Sequence, residues 1–125
     1  MIDTTQIDEW LAGYRHAWTT NDREDIARLF TDDIRYYTAP YRDPLGGLDE
    51  VAAYWLGEKE SGIPWTFEYD VLAREGGLYV VRAVTRYPEG TSDADGPEVF
   101  RNLWLVTLAD DGRASEFVEY FMIEE

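Results

Sequence analysis

Two long runs rich in β-branched and aromatic residues close the sequence: Val99-Phe-Arg-Asn-Leu-Trp-Leu-Val-Thr-Leu108 and Ala114-Ser-Glu-Phe-Val-Glu-Tyr-Phe-Met-Ile123. Between them stands Asp111-Gly112, and an Asp-Gly step flanked by such runs is the strongest short-range signal for a hairpin. Side chains alternate across a strand, so the second run divides into Phe117, Glu119, Phe121 and Ile123 on one face and Glu116, Val118, Tyr120 and Met122 on the other. The first set is apolar except for Glu119. A carboxylate among core-facing aromatics is costly unless it is paired, hydrogen-bonded or protonated. Glu119 is therefore the principal sign of a functional site.

Upstream of that hairpin the pattern is helical first and extended later. Ile7, Leu11, Tyr14 and Trp18 form an apolar stripe with Trp10 and Ala17 beside it, predicting a helix that begins near Thr5, with Thr5-x-x-Asp8 as its capping signal. Asn21-Asp22 breaks it, and Asp22 caps a short second helix from Arg23 to Phe30. Ile34 to Ala39 reads as a strand, Pro40 to Gly47 as a loop, and Leu48 to Glu60 as a third helix ended by Ser61-Gly-Ile-Pro64. Trp65 to Val71 alternates as a half-buried strand does; Glu75-Gly-Gly77 turns it into Leu78 to Tyr87. Pro88 to Pro97 reads as a long, mobile polar loop.

Helices gathered early and antiparallel strands late predict an α+β fold in one domain, 1–125, with three helices packed on the concave face of a curved sheet. The other face, about Val81, Ala83, Leu103, Leu105, Val118 and Tyr120, is then an apolar patch, and a homodimer burying it is expected.

The formal charge of −15 argues against nucleic acid and anionic membranes, both of which require cations to neutralise phosphates. With no cysteine and one histidine, neither a disulfide framework nor a transition-metal site is expected, and no cofactor motif is present. Five Trp, nine Tyr and five Phe suit a lined cavity. No leader or membrane-spanning run is evident, so a cytoplasmic protein is expected.

Several stretches carry a resemblance: Tyr14-x-x-x-Trp18, Asp25-Ile-Ala-Arg-Leu-Phe-Thr-Asp-Asp33, Tyr37-Thr-Ala-Pro-Tyr-Arg-Asp-Pro-Leu-Gly46, Tyr54-Trp55 and Gly112-Arg-Ala-Ser-Glu-Phe-Val-Glu119. With the order of elements, they resemble the SnoaL-like members of the nuclear transport factor 2-like superfamily. The resemblance implies a cone with a deep pocket between helices and sheet, usually in a dimer. It does not imply one chemistry, because the fold hosts isomerases, cyclases, dehydratases, hydrolases and non-catalytic binders. Matched against the ketosteroid isomerases, whose acid–base logic is well described, Tyr14 falls at the oxyanion-binding tyrosine. Thr38 falls at the general base and Trp104 at the protonated acid, neither of which can do that work. Against the Asp-Arg-Asp set of limonene epoxide hydrolases, Arg82 and Glu119 are available without a second acid. SnoaL-type cyclases use an inward acid, which Glu119 matches, and often a histidine, which nothing here matches.

The residues themselves leave choices open. Glu119 is either a desolvated acid–base group, a partner of Arg82, or solvent-facing in another register. Arg82 shares a phase with Leu78, Val80 and Val84 and is expected to point inward, toward Glu119 or an acidic ligand. Tyr14 and Trp18 are core or ligand contacts. Asn102 either orients a ligand or satisfies backbone groups at a bulge. Tyr36, Thr38, Trp55, Trp104, Phe117 and Phe121 complete the expected lining. His16 lies off the apolar stripe and is expected to be exposed. Three functions fit: cofactor-free proton transfer on a small hydrophobic or carbonyl-containing molecule, with Glu119 and Tyr14 catalytic; a non-catalytic ligand-binding or dimeric assembly module; or, as in the transport factors, a partner-protein surface whose acidic charge seeks a basic partner.

Overall fold

The computed structural model describes residues 2–58, 66–87 and 98–124. Helix α1 (Thr5–Thr20) buries Ile7, Trp10, Leu11, Tyr14, Ala17 and Trp18, the stripe its spacing dictates. Thr4 stands at its N-cap with its hydroxyl donating to Asp8 Oδ2 at 2.8 Å, and Asp3 Oδ1 takes the Thr5 N–H at 3.0 Å. Asn21 ends the helix in the left-handed region (φ 51°), its N–H returning to the Ala17 carbonyl at 2.8 Å; asparagine tolerates that backbone as most residues do not. Asp22 caps α2 (Arg23–Ala27) by accepting the Glu24 N–H at 2.8 Å.

That second helix is three residues shorter than its sequence suggests. Phe30 instead opens β1 (Phe30–Tyr37), pairing with Ala114, and the ladder slips between Phe30 and Arg35. The irregularity lets Asp32 and Asp33 face water within the strand. A two-residue edge strand, β2 (Leu45–Gly46), lies in what reads as loop, and α3 covers Leu48–Glu58. Strands β3 (Thr66–Glu75), β4 (Leu78–Tyr87), β5 (Glu98–Leu108) and β6 (Ala114–Ile123) follow. The expected end of α3 at 59–64 and the expected mobile loop at 88–97 lie outside the described residues.

The curved sheet runs β2-β1-β6-β5-β4-β3, antiparallel except where β1 meets β6. The last strand thus sits inside the sheet, held by its hairpin partner β5 on one side and by β1 on the other. Gly77 permits the β3–β4 turn to lie against β5: a Cβ there would stand 2.5 Å from the Leu108 carbonyl oxygen.

One phase is inverted relative to the sequence reading. Val81 faces Trp104 across the β4–β5 ladder, and Tyr79, Val81 and Ala83 are buried against the helices. Leu78, Val80, Arg82 and Val84 take the outer face. Both phases of this strand are apolar, so alternation alone cannot choose between them; pairing with the Trp104 face does. Val81 and Ala83 therefore do not belong to the outer patch. Its apolar members include Val80, Val84, Leu103, Leu105 and Val118, all half-buried, with exposed Tyr120. Among the described residues, no helix is long and apolar enough to cross a membrane.

Candidate functional site

The concave face of the hairpin brings Asn102 and Trp104 of β5 alongside Phe117, Glu119 and Phe121 of β6. Trp104 lies directly opposite Glu119, and Asn102 opposite Phe121. Glu119 Oε2 accepts the Trp104 indole N–H at 2.7 Å and its Oε1 accepts the Asn102 amide N–H at 3.0 Å. The Thr85 hydroxyl of β4 donates in turn to Asn102 Oδ1 at 2.9 Å. Among the described residues Glu119 makes no ion pair. Burial pushes its pKa up from the ordinary 4.5 to about 7; the bonds from Trp104 and Asn102 pull the other way without cancelling the rise.

An aromatic shell stands over this carboxylate. The Tyr14 ring lies 5.2 Å from Trp104, 5.3 Å from Trp55, 6.0 Å from Phe67 and 6.2 Å from Phe117. Trp18 stacks on Trp55 at 4.3 Å, and Tyr36 on Phe117 at 4.8 Å. Trp55 Nε1 is a buried donor without a hydrogen-bond partner among the described residues. A buried unsatisfied N–H costs on the order of 1–3 kcal/mol, so this donor favours an acceptor atom brought in by water or a ligand.

The structure thus gathers Tyr14, Trp18, Tyr36, Trp55, Asn102, Trp104, Phe117 and Glu119 on one side of the sheet, buried or half-buried. Phe121 shares their face but is 53 % exposed, toward the strand's end, where Phe100 meets it at 6.0 Å. Thr38 is half-buried just beyond β1.

Arg82 is the correction. Its side chain is 61 % exposed on the outer face and pairs with Asp70 of β3 at 3.2 Å, so it neither reaches Glu119 nor points inward. A cation that does meet the aromatic shell is Arg15, whose guanidinium covers the Phe67 ring at 4.4 Å and donates to the Phe67 carbonyl at 2.9 Å. His16 is exposed, 3.3 Å from Asp25, which also accepts from Thr20 and Arg28. Thr85 is a residue the sequence leaves unmarked; its one signal is the two-residue phase it shares with Tyr79, Val81 and Ala83.

A SnoaL-like domain model matches residues 11–117, and the chain belongs to that family, within the nuclear transport factor 2-like superfamily. No curated protein matches the sequence. Solved structures similar in fold include SalBIII, an epoxide hydrolase/cyclase-like enzyme in pyran ring formation in polyether salinomycin. It shares 16 % identity, with a TM-score of 0.73 over 98 % of this chain and 95 % of that one. An LEH-like epoxide hydrolase from M. tuberculosis shares 14 % identity (TM-score 0.71; 94 % and 84 % covered). A protein of unknown function with a cystatin-like fold from Methylobium petroleophilum PM1 also shares 14 % (TM-score 0.70; 99 % and 80 %). At such identities the likeness is one of fold.

A carboxyl whose pKa is raised in the folded chain stabilises that chain, relative to one with an unshifted group, only while it stays protonated. The difference between 4.5 and about 7 corresponds to roughly 3 kcal/mol, fully present below pH 4.5 and lost as pH rises through 7. Urea unfolding of wild type and Glu119→Gln between pH 4 and 8 should show wild type losing about that much relative to the variant. A pH-independent difference would mean that the carboxyl is not desolvated.

Proposed function

We propose that this protein binds a small, largely apolar organic molecule against its aromatic concave face and catalyses a cofactor-free proton transfer on it. The observation that carries this reading is Glu119: a carboxyl enclosed by an apolar shell, held by two neutral N–H donors, and titrating near neutrality. Such a group exchanges a proton with a carbon or oxygen acid at low cost near neutral pH. In its ionised form Glu119 takes a proton from the carbon beside a carbonyl, leaving the electron pair as an enolate. The Tyr14 phenol hydrogen-bonds the developing oxygen anion. Returned to a different carbon, the proton completes an isomerisation; delivered instead to a β-hydroxyl that the enolate expels as water, it completes a dehydration to an enone. Addition of an internal hydroxyl to the β-carbon of such an enone, with Glu119 moving the hydroxyl proton to the α-carbon, is a cyclisation. Trp55, Trp104 and Asn102 hold the ligand, with the Trp55 N–H, unpartnered among the described residues, offering a hydrogen bond to an acceptor.

A second reading has its own support. Among the described residues the Tyr14 ring meets Trp10 and Trp18 besides the four rings above, a density suited to a binding or assembly module without chemistry. Turnover of a panel of small carbonyl compounds separates the two. Under the catalytic reading Glu119→Gln lowers kcat by about 10²–10⁴-fold and Tyr14→Phe by a smaller factor. Binding without turnover by wild type, or turnover that survives both substitutions, contradicts it.

The same reading includes a homodimer through the outer sheet face. The apolar strip of Val80, Leu103, Leu105, Val118 and Tyr120 is flanked by the ion pairs Arg82–Asp70, Arg35–Glu116 and Arg101–Glu124, the pattern of an apolar interface centre with a polar rim. Light scattering at micromolar concentration should give twice the 14.5 kDa chain mass, and Leu105→Glu should halve it. A wild-type mass of one chain would remove the dimer.

A further inference from the structure

We propose that Thr85 is a positioning residue for Glu119: its hydroxyl holds the Asn102 amide with the N–H side turned to the carboxylate. Three observations combine. Thr85 Oγ1 lies 2.9 Å from Asn102 Oδ1, and Asn102 Nδ2 lies 3.0 Å from Glu119 Oε1, so hydroxyl, amide and carboxyl form one chain of hydrogen bonds. Asn102 is itself 7 % exposed, too enclosed for water to replace either partner freely. Ala83, directly opposite Asn102 in the β4–β5 ladder, presents only a methyl group, which leaves the amide free to reach diagonally to Thr85.

The direction of the chain follows from what each group can do. An ionised carboxylate only accepts, so it requires the amide N–H side, and that places Oδ1 against a donor, which the threonine hydroxyl supplies. A protonated Glu119 has an O–H to give and can face either side of the amide. A threonine hydroxyl can accept as well as donate, so what Thr85 supplies is a donor to Oδ1 in the orientation the anion needs; bonds in series polarise one another, and that donation strengthens the amide N–H's hold on the charge. Trp104, whose indole can only donate, keeps the second carboxyl oxygen in place and is indifferent to the flip.

The surroundings of Glu119 leave this chain little competition. On its own sheet face stand Phe117 and Phe121 of β6, Asn102 and Trp104 of β5, and Ala83 and Thr85 of β4; Phe67 of β3, Tyr36 of β1 and Tyr14 of α1 complete the shell. The charged groups of α1 that turn toward the sheet are engaged elsewhere: Asp8 accepts the Tyr69 hydroxyl at 2.7 Å, and Arg15 covers Phe67. Tyr69 itself is pushed up to about 12 by burial and then by that bond.

The test needs no substrate. The Glu119 side-chain carboxyl carbon is followed by ¹³C NMR from pH 4 to 9 in wild type, Thr85→Val and Thr85→Ser. Thr85→Val should move the midpoint upward by about half a pH unit, roughly a threefold weaker acid, because the amide that binds the anion loses the donor to its oxygen. Thr85→Ser, which restores the hydroxyl, should titrate as wild type does. An unmoved midpoint in a folded Thr85→Val protein, or an equal shift in Thr85→Ser, overturns the proposal. If Thr85→Val does not fold, the wild-type Asn102 Nδ2 resonance decides: it should titrate in step with the Glu119 carboxyl, and a pH-indifferent signal is the contrary result. The catalytic meaning of Thr85 rests on Glu119 being the acid–base group. Should Glu119→Gln leave turnover intact, the titration shift would still stand, so the two ideas fail separately.

Discussion

The constraint from which the candidate site derives its properties is a carboxyl group in an apolar shell, answered among the described residues by neutral donors and no cation. Trp104 and Asn102 supply one N–H to each oxygen of Glu119. Those bonds orient the head group but do not repay the loss of water, so the proton stays on to about pH 7. An arginine in their place would have held the group ionised throughout the neutral range. Neutral donors give orientation without that charge, which is the condition an acid–base group near neutrality requires.

The architecture explains how such a group is kept in place. Strand β6 is flanked by β5 and by β1, so residues of its concave face are presented to α1 rather than to the sheet edge. The antiparallel β5–β6 register sets Trp104 opposite Glu119, a fixed distance that a loop could not guarantee. Over them, Tyr14, Trp18 and Trp55 bring aromatic rings from two helices. Burial of large aromatic surface holds these helices on the sheet and also dries the carboxyl. Stability and pKa thus have one cause.

Much of this was legible in the sequence. The 4-3-4 spacing of Ile7, Leu11, Tyr14 and Trp18 dictates the buried face of α1, and a glutamate in phase with Phe117 and Phe121 marks the candidate site. What escaped was information carried by pairing between strands. Arg82 lies in a strand apolar on both faces, and only the match of Val81 with Trp104 shows that it faces outward. The same ambiguity misassigned Val81 and Ala83 to the outer surface and hid Thr85. The slip in the β1–β6 ladder is invisible for a related reason: Asp32-Asp33 has poor β-propensity, and only the neighbouring strand draws it into the sheet.

The most direct test is the infrared spectrum of the Glu119 carboxyl, taken as the difference between wild type and Glu119→Gln at pH 6. The account predicts a carbonyl stretch of a protonated carboxylic acid in an apolar setting, giving way to the carboxylate bands by pH 8. Carboxylate bands already complete at pH 6 would show a solvated or charge-paired glutamate and would contradict it.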